Sequence, residues 1–229
     1  MSFDKSKVSI VVACKNEGMG LENILHSVKD YADEIIIVDG HSKDGTEEIA
    51  NQFKARFFLD NKKGRGDALK IGIANAKNEI IVFFDADGSH ETADIPSLVE
   101  PILQKRAEMV IGSRIAGGCL DVDFSSIGGI VRVCGANFMV YLVNRRFKET
   151  LTEILYSFRA IRTDTARNLN FKADDFAIEQ DMVVRCLKNG CKVMEVPSRE
   201  KARAWGKSKL KTSTGFKLLF NLVRDLYFG

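Results

Sequence analysis

Short runs of continuous apolar residues alternate with helically spaced ones through the first half of the chain. Val8 to Ala13 (VSIVVA) and Glu34 to Val38 (EIIIV) are β-branched runs of the kind expected for strands buried on both faces of a parallel sheet. Between them Leu21, Ile24, Leu25 and Val28 fall at helical spacing, completing a β-α-β unit with a right-handed crossover. The pattern repeats: a helix over Thr46 to Phe53, a strand over Ala55 to Leu59, a helix over Asp67 to Ala76 and a strand over Glu79 to Phe84. A helix over Ile95 to Lys105 and a strand over Glu108 to Ile111 follow. This alternation predicts a Rossmann-like α/β half over residues 1–115, with polar loops gathered on the carboxyl edge of the sheet, where ligands bind.

Residues 116–229 are less regular. They hold an apolar stretch from Ile127 to Val143, a helix over Asp181 to Asn189, a strand over Cys191 to Val196, a basic segment and an amphipathic tail, Phe216 to Phe228. No Pro-rich linker, repeat or low-complexity tract separates the halves, so a single domain spanning residues 1–229 is expected.

The chemistry concentrates where apolar strands stop. In FFDADGSH, Phe83 to His90, two aspartates one residue apart follow a fully apolar strand. Carboxylates there can converge on one hard cation, Mg²⁺ or Mn²⁺, and leave coordination sites for a diphosphate; alternatively, Asp85 and Asp87 cap a helix or shape a turn. In VDGHSKDGT, Asp39 could bond a ribose hydroxyl or a base N–H, while Asp44-Gly45 and Thr46 also read as a plain turn and cap. KKGRGDALKIGIANA, Lys62 to Ala76, sets glycines and basic residues before a helix N-terminus, which favours an anion or forms a solvated turn. It lacks full GxGxxG or P-loop spacing, which argues against dehydrogenase and ATPase readings. Basic residues recur at IGSRIAGG (Arg114) and REKARAWGKSKLK, where Arg203, Lys207 and Lys209 surround Trp205 and Gly206. Such a run is either a solvated face or a loop that clamps phosphates.

Composition narrows these readings. With 34 basic against 31 acidic residues, the net charge of +3 gives no footprint for nucleic acid. Five scattered cysteines form neither a disulfide framework nor a zinc knuckle and fit a reducing, cytosolic setting. Neither a signal peptide nor a run of about 18 uncharged apolar residues is readable. Ile127 to Val143 and Phe216 to Phe228, both carrying cations, fit a membrane interface, a buried helix or a homo-oligomer contact.

In chain order, VVACKNE, VDGHSKDGT, GRGDALKIGIANA, DADGSH, VIGSR and WGKSKL resemble the successive blocks of glycosyltransferase family 2, most closely its polyprenol-phosphate sugar synthases of the dolichol-phosphate mannose type. The resemblance runs from about Val8 to Leu210. It implies a GT-A fold, a mixed but mostly parallel sheet with helices on both faces. It also implies inverting, metal-dependent transfer of a hexose from a GDP-mannose or UDP-glucose type donor to a polyprenyl or dolichyl phosphate. Residues 1–115 then form the nucleotide-sugar half and 116–229 the acceptor half, with peripheral attachment to the cytosolic leaflet. By position, Ala13, Asn16, Glu17, Asp39, Gly64, Arg65, Asp85, Ala86, Asp87 and Lys209 surround the donor, and Asp85, Asp87 and Ser89 stand on the metal side. Asp87, Arg114 and Arg203 serve the transfer, and Glu179 and Asp181 flank the acceptor as candidate bases for a hydroxyl.

The segment LTEILYSFR, Leu151 to Arg159, resembles a block in which Glu153 and Ser157 stand for the family's usual Asp and Gly. Lys15, Gly40 and Gly88-Ser89 depart as well, so the donor base, the sugar and the acceptor are left open. Two other readings remain: a soluble family 2 transferase acting on a saccharide or small hydroxylated acceptor, and a non-catalytic nucleotide-sugar-binding module.

Overall fold

The computed structural model describes residues 3–118, 127–205 and 212–228. Among the described residues, seven strands form one sheet in the order β3-β2-β1-β4-β6-β5-β7. They are β1 (Val8–Cys14), β2 (Glu34–Asp39), β3 (Arg56–Leu59), β4 (Ile80–Asp85), β5 (Met109–Ser113), β6 (Arg159–Arg162) and β7 (Val193–Pro197). All pairings are parallel except those of β6, which runs antiparallel to both β4 and β5. The expected mixed, mostly parallel sheet is therefore present.

The strands read as unbroken apolar runs because both faces are covered. Ile10, Val12, Ile37, Val82, Phe84 and Val110 point into one core with Leu21, Ile24 and Leu25 of α1 (Gly18–Val28), Ala50 of α2 (Thr46–Gln52) and Leu98, Val99 and Ile102 of α4 (Ile95–Leu103). Val11, Ile36, Val38, Phe83 and Ile111 point into the other. There they meet Leu69 and Ile73 of α3 (Arg65–Asn75), Met139 and Val143 of α5 (Ile127–Phe147), and Ala166 of α6 (Thr163–Asn168). Met182 and Val183 of α7 (Ile178–Lys188) and Leu218, Leu222 and Leu226 of α8 (Thr212–Tyr227) complete that core. Alternation of period two within each strand thus feeds two layers of helices.

Several boundaries move by one to three residues, and three of the shifts bear on the rim of the sheet. β4 keeps Asp85 as its last residue, and β5 runs on to Ser113, next to Arg114. α7 begins at Ile178, which puts Glu179 and Asp181 in its first turn. β6, with the sequence RAIR, was not foreseen: four residues with an arginine at each end carry no strand period. Arg159 is nonetheless buried, donating to the carbonyls of Ile154 (3.2 Å), Tyr156 (3.1 Å) and Glu179 (2.6 Å). Burial pulls its guanidinium down to about 10, and those carbonyls tie the segment before β6 to the start of α7.

Candidate active site

The parallel order places the ends of β1, β2 and β4 side by side. Ala13 pairs in register with Val38 on one side and Asp85 on the other, and Cys14 with Asp39. Every loop that follows these strands therefore opens on one edge, as an α/β sheet requires of its ligand site.

Asp85 closes β4 among cationic and hydroxyl partners. Its Oδ1 accepts from Arg65 Nη2 at 2.5 Å and its Oδ2 from Ser157 Oγ at 2.6 Å. Burial would raise this carboxyl, but the Arg65 guanidinium, His90 and Ser157 override it and hold it well below the usual carboxylate range. Arg65 opens α3 and also donates through Nε to Glu179 at 2.7 Å. Burial would lower its pKa, but the two carboxylates raise it, so it stays charged. Gly64 precedes it at φ 129°, where a Cβ would stand 2.9 Å from the Asp174 carbonyl, so glycine lets the helix start against that loop.

Asp87 lies just past the strand and is buried. Its Oδ1 accepts the Ser89 amide at 3.0 Å and its Oδ2 pairs with Arg203 at 2.8 Å. The segment 198–205 lies along the loop 85–94 through a series of bonds. The Lys201 amide donates to Ser89 O (2.8 Å), the Ala204 amide to Asp87 O (3.0 Å), and Trp205 Nε1 to Ala86 O (2.5 Å). Ser198 Oγ donates to Asp94 (3.0 Å), and Lys201 pairs with Glu91 (2.6 Å). A Cβ on Gly20 would fall within 1.7 Å of the Trp205 ring, so glycine there opens the slot that the indole fills. Arg114 holds the same segment from below, bonding Glu153 at 2.7 Å and Glu200 at 3.1 Å and lying 4.8 Å over the Tyr156 ring.

The structure thus brings Asp85, Ala86, Asp87, Ser89, Arg65, Glu179 and Arg203 into one cluster, with Arg114 tied to its covering segment. Other expected residues are engaged separately. Asp39 accepts the Ser42 amide (2.7 Å) and hydroxyl (2.5 Å), and the Asn16 amide donates to Ser42 Oγ (2.7 Å), so these two brace the loops after β1 and β2. Glu17 stands at the N-cap of α1. Asp181 is occupied: Oδ2 accepts the amides of Lys172 (2.6 Å) and Ala173 (3.1 Å), and Oδ1 accepts from Arg185 (2.6 Å). It pins a loop, which leaves Glu179 as the one of the two candidate bases that joins the cluster. Lys207 and Lys209 lie outside the described residues.

Two members of the cluster were missed. Ser157 stood out in sequence only as a departure from glycine, and His90 only as the last residue of FFDADGSH. Both touch Asp85, His90 accepting the Asp85 amide at Nδ1 (3.2 Å) and reaching Ser157 Oγ through Nε2 (3.2 Å). The juxtaposition depends on β6 pairing with β4, which the sequence pattern did not announce.

No group of three or more His, Cys, Asp or Glu side chains suited to a metal occurs among the described residues. The Asp85 and Asp87 pair nevertheless suits Mg²⁺ or Mn²⁺, since such ions take one or two carboxylates and complete their shell with substrate phosphates and water. Each carboxylate already holds a guanidinium on one oxygen, a cation in the position a metal would take.

Residues 9–174 match the profile of Glycosyl transferase family 2. The chain belongs to that family. It is a glycosyltransferase, as the block order implied. Among its relatives, an uncharacterised protein of Methanocaldococcus jannaschii is 30% identical, with 99% of this chain and 95% of the relative aligned. The undecaprenyl-phosphate mannosyltransferase of Micrococcus luteus is 27% identical over 95% of this chain and 93% of its own length. The dolichol-phosphate mannosyltransferase of Pyrococcus furiosus is 26% identical, and the match spans 95% of this transferase and 63% of that one. The fold matches that of glucosyl-3-phosphoglycerate synthase from Mycobacterium tuberculosis, a GT-A enzyme solved with Mn²⁺ and UDP. The TM-score is 0.69 and the identity 18%, over 96% of this chain and 78% of that one.

Proposed function

We propose that this transferase moves a hexose, with inversion, from a nucleoside-diphosphate sugar of the GDP-mannose or UDP-glucose type to a polyprenyl or dolichyl phosphate. The observation that carries the reading is the pairing of Asp85 with Arg65 and of Asp87 with Arg203 at the end of β4. Two carboxylates and two guanidiniums in contact are the charges needed to hold a diphosphate with its cation. Asp85 and Asp87, with Ser89 beside them, would hold Mg²⁺ or Mn²⁺, which when bound neutralises the charge developing on the leaving diphosphate. Arg65 and Arg203 exchange the carboxylates for phosphate oxygens as the donor enters. Ala13, Asn16, Glu17, Asp39 and Gly64 belong to the nucleotide side, and Arg114 orients the segment bearing Arg203. Lys209, from the same basic run, adds a phosphate contact. An acceptor phosphate is ionised at neutral pH and attacks without a base, so the protein's task is alignment and charge control. Glu179, held by Arg65, is the base if the acceptor is a hydroxyl.

Two helix faces support a lipid acceptor. α5 contains no acidic residue and exposes Ile130, Val131, Phe138 and Tyr141, while α8 exposes Phe216, Phe220 and Tyr227 beside Lys217 and Arg224, with Phe228 exposed just beyond its end. No helix among the described residues is long and apolar enough to cross a membrane. Apolar side chains flanked by cations suit peripheral contact with an anionic leaflet, here the cytosolic one. The deciding experiment supplies radiolabelled GDP-mannose and UDP-glucose with polyprenyl phosphate in vesicles and follows label into the organic phase, with and without EDTA. Extractable, EDTA-sensitive product is expected. Label passing only to a water-soluble saccharide or small hydroxylated acceptor would replace the lipid reading with a soluble one. Nucleotide-sugar binding without any transfer would reduce the chain to a binding module.

A further inference from the structure

The antiparallel ladder between β4 and β6 pairs Phe83 with Arg159, and carried two residues further it sets Asp85 opposite Ser157. Ser157 therefore reaches Asp85 because of strand register, and its Oγ lies 2.6 Å from Asp85 Oδ2. Behind it stands His90, with a fully buried side chain. Its ring stacks on Phe158 at 4.6 Å and meets the edges of Phe84 (5.0 Å) and Tyr156 (5.2 Å). These three rings fix the plane of the imidazole.

The direction of each bond in this group follows from its neighbours. The Asp85 amide donates to His90 Nδ1, so that nitrogen keeps its lone pair and a neutral ring carries its proton on Nε2. Nε2–H then faces Ser157 Oγ at 3.2 Å, and the hydroxyl proton of Ser157 is directed to Asp85 Oδ2. The backbone and side chain of Asp85 are thus both read by one histidine, directly at the amide and through a serine at the carboxylate.

We infer that His90 and Ser157 are positioning residues that act as a relay on Asp85, tying up Oδ2 so that Oδ1 alone is presented to a cation. The inference rests on the metal-site reading given above. Arg65 already sits on Oδ1, the oxygen left available. Partners behind a metal-binding carboxylate set its orientation, and removing one typically weakens metal affinity by about 10-fold to 100-fold.

The test is calorimetric titration of Mn²⁺ into the protein with a saturating nucleoside diphosphate present. Ser157→Ala should weaken the metal by about 10-fold or more at an unchanged melting temperature, and Ser157→Thr, which keeps the hydroxyl, should stay within about 3-fold of the parent. Equal affinity in the Ala variant would overturn the relay. A second measurement needs no metal: ¹⁵N shifts of labelled histidine, assigned with His90→Gln, should show the Nε2–H tautomer, with Nε2 moving in Ser157→Ala. An Nδ1–H tautomer, or a resonance indifferent to Ser157, would overturn the relay as well. If the parent takes up no Mn²⁺ while the tautomer result holds, the metal reading fails and the relay on Asp85 stands.

Discussion

The strands that carry the site have a second charged cluster at their other end, and the two are built from the same residue types. At the amino edge Glu34 accepts from Arg56 at 2.6 Å, from Ser9 Oγ at 2.5 Å and from the Lys77 amide at 2.8 Å, while Arg56 also donates to the Asn75 carbonyl at 2.6 Å. At the carboxyl edge Asp85 accepts from Arg65 and Ser157, and Asp87 from Arg203 and the Ser89 amide. The amino-edge carboxylate is met by fixed groups of the two flanking strands and a turn, one guanidinium serving one carboxylate. The carboxyl edge gathers Asp85, Asp87 and Glu179 around guanidiniums from a helix start and a covering segment. The first arrangement closes a turn; the second concentrates exchangeable charge. Parallel strands place every strand-to-helix loop at one end, which is why only that end acquires this surplus.

The largest effect expected from breaking the comparison is on catalysis. Asp87→Ala should reduce transfer by at least about 10³-fold, because charge stabilisation at a departing group of this kind contributes several kcal/mol. Asp87→Asn, which keeps an acceptor for the Ser89 amide, should lose transfer as well at a melting temperature close to that of the parent. Activity above one tenth of the parent, or activity undiminished in excess EDTA, would remove the site from this loop.

Glu34→Ala is the opposite case. It leaves Ser9 and Arg56, both tied into the sheet edge, without their acceptor, and should cost about 2–3 kcal/mol of stability. Transfer per folded molecule should be unchanged. Denaturant unfolding of the variant, set beside its specific activity, separates the two clusters: one governs rate, the other stability.

These two ends were unequally legible. The apolar runs disclosed β1 to β5 and the helices between them within a few residues, because strands covered on both faces leave an unbroken signature. Asp85 and Asp87 were visible as polar residues ending such a run. Of their partners, Arg65, Ser89 and Arg203 were named from their blocks, but Ser157 was not, since it reaches Asp85 through the register of β6; Arg159 likewise reads as a surface residue until its carbonyl partners are known. Asp181 looked like a companion of Glu179, yet positions two apart on a helix point in different directions, and Asp181 faces the 172–173 amides. Contacts of long sequence separation decide function here, and periodicity says nothing about them.

A smaller, pH-dependent difference sharpens the contrast. Burial would raise the Glu34 carboxyl, but the Ser9 hydroxyl, the Lys77 amide and Arg56 outweigh it and hold it below its ordinary 4.5. A carboxylate depressed in the folded state stabilises the protein above its unfolded pKa, and that contribution fades as pH falls through the folded value. The melting-temperature difference between the parent and Glu34→Gln should therefore be largest near about pH 6–7 and shrink below about pH 4. A difference that grows on acidification would contradict the assignment.

The smallest effect tests whether charge alone matters at the amino edge. Lys7 and Glu79 lie 3.4 Å apart with side chains 46% and 40% exposed. Arg203 is about as exposed, at 45%, but its partner Asp87 is only 5% exposed. A pair in water gains little, so Lys7→Ala should change stability by no more than about 0.5 kcal/mol and leave transfer alone. Arg203→Ala strips a buried carboxylate of its cation, and should show its effect in donor affinity and rate. If Lys7→Ala matched it, exposure of the partner would have no bearing on the outcome. The distinction between the two edges would then rest on position alone, without the burial that makes Asp87 dependent on a replacement cation.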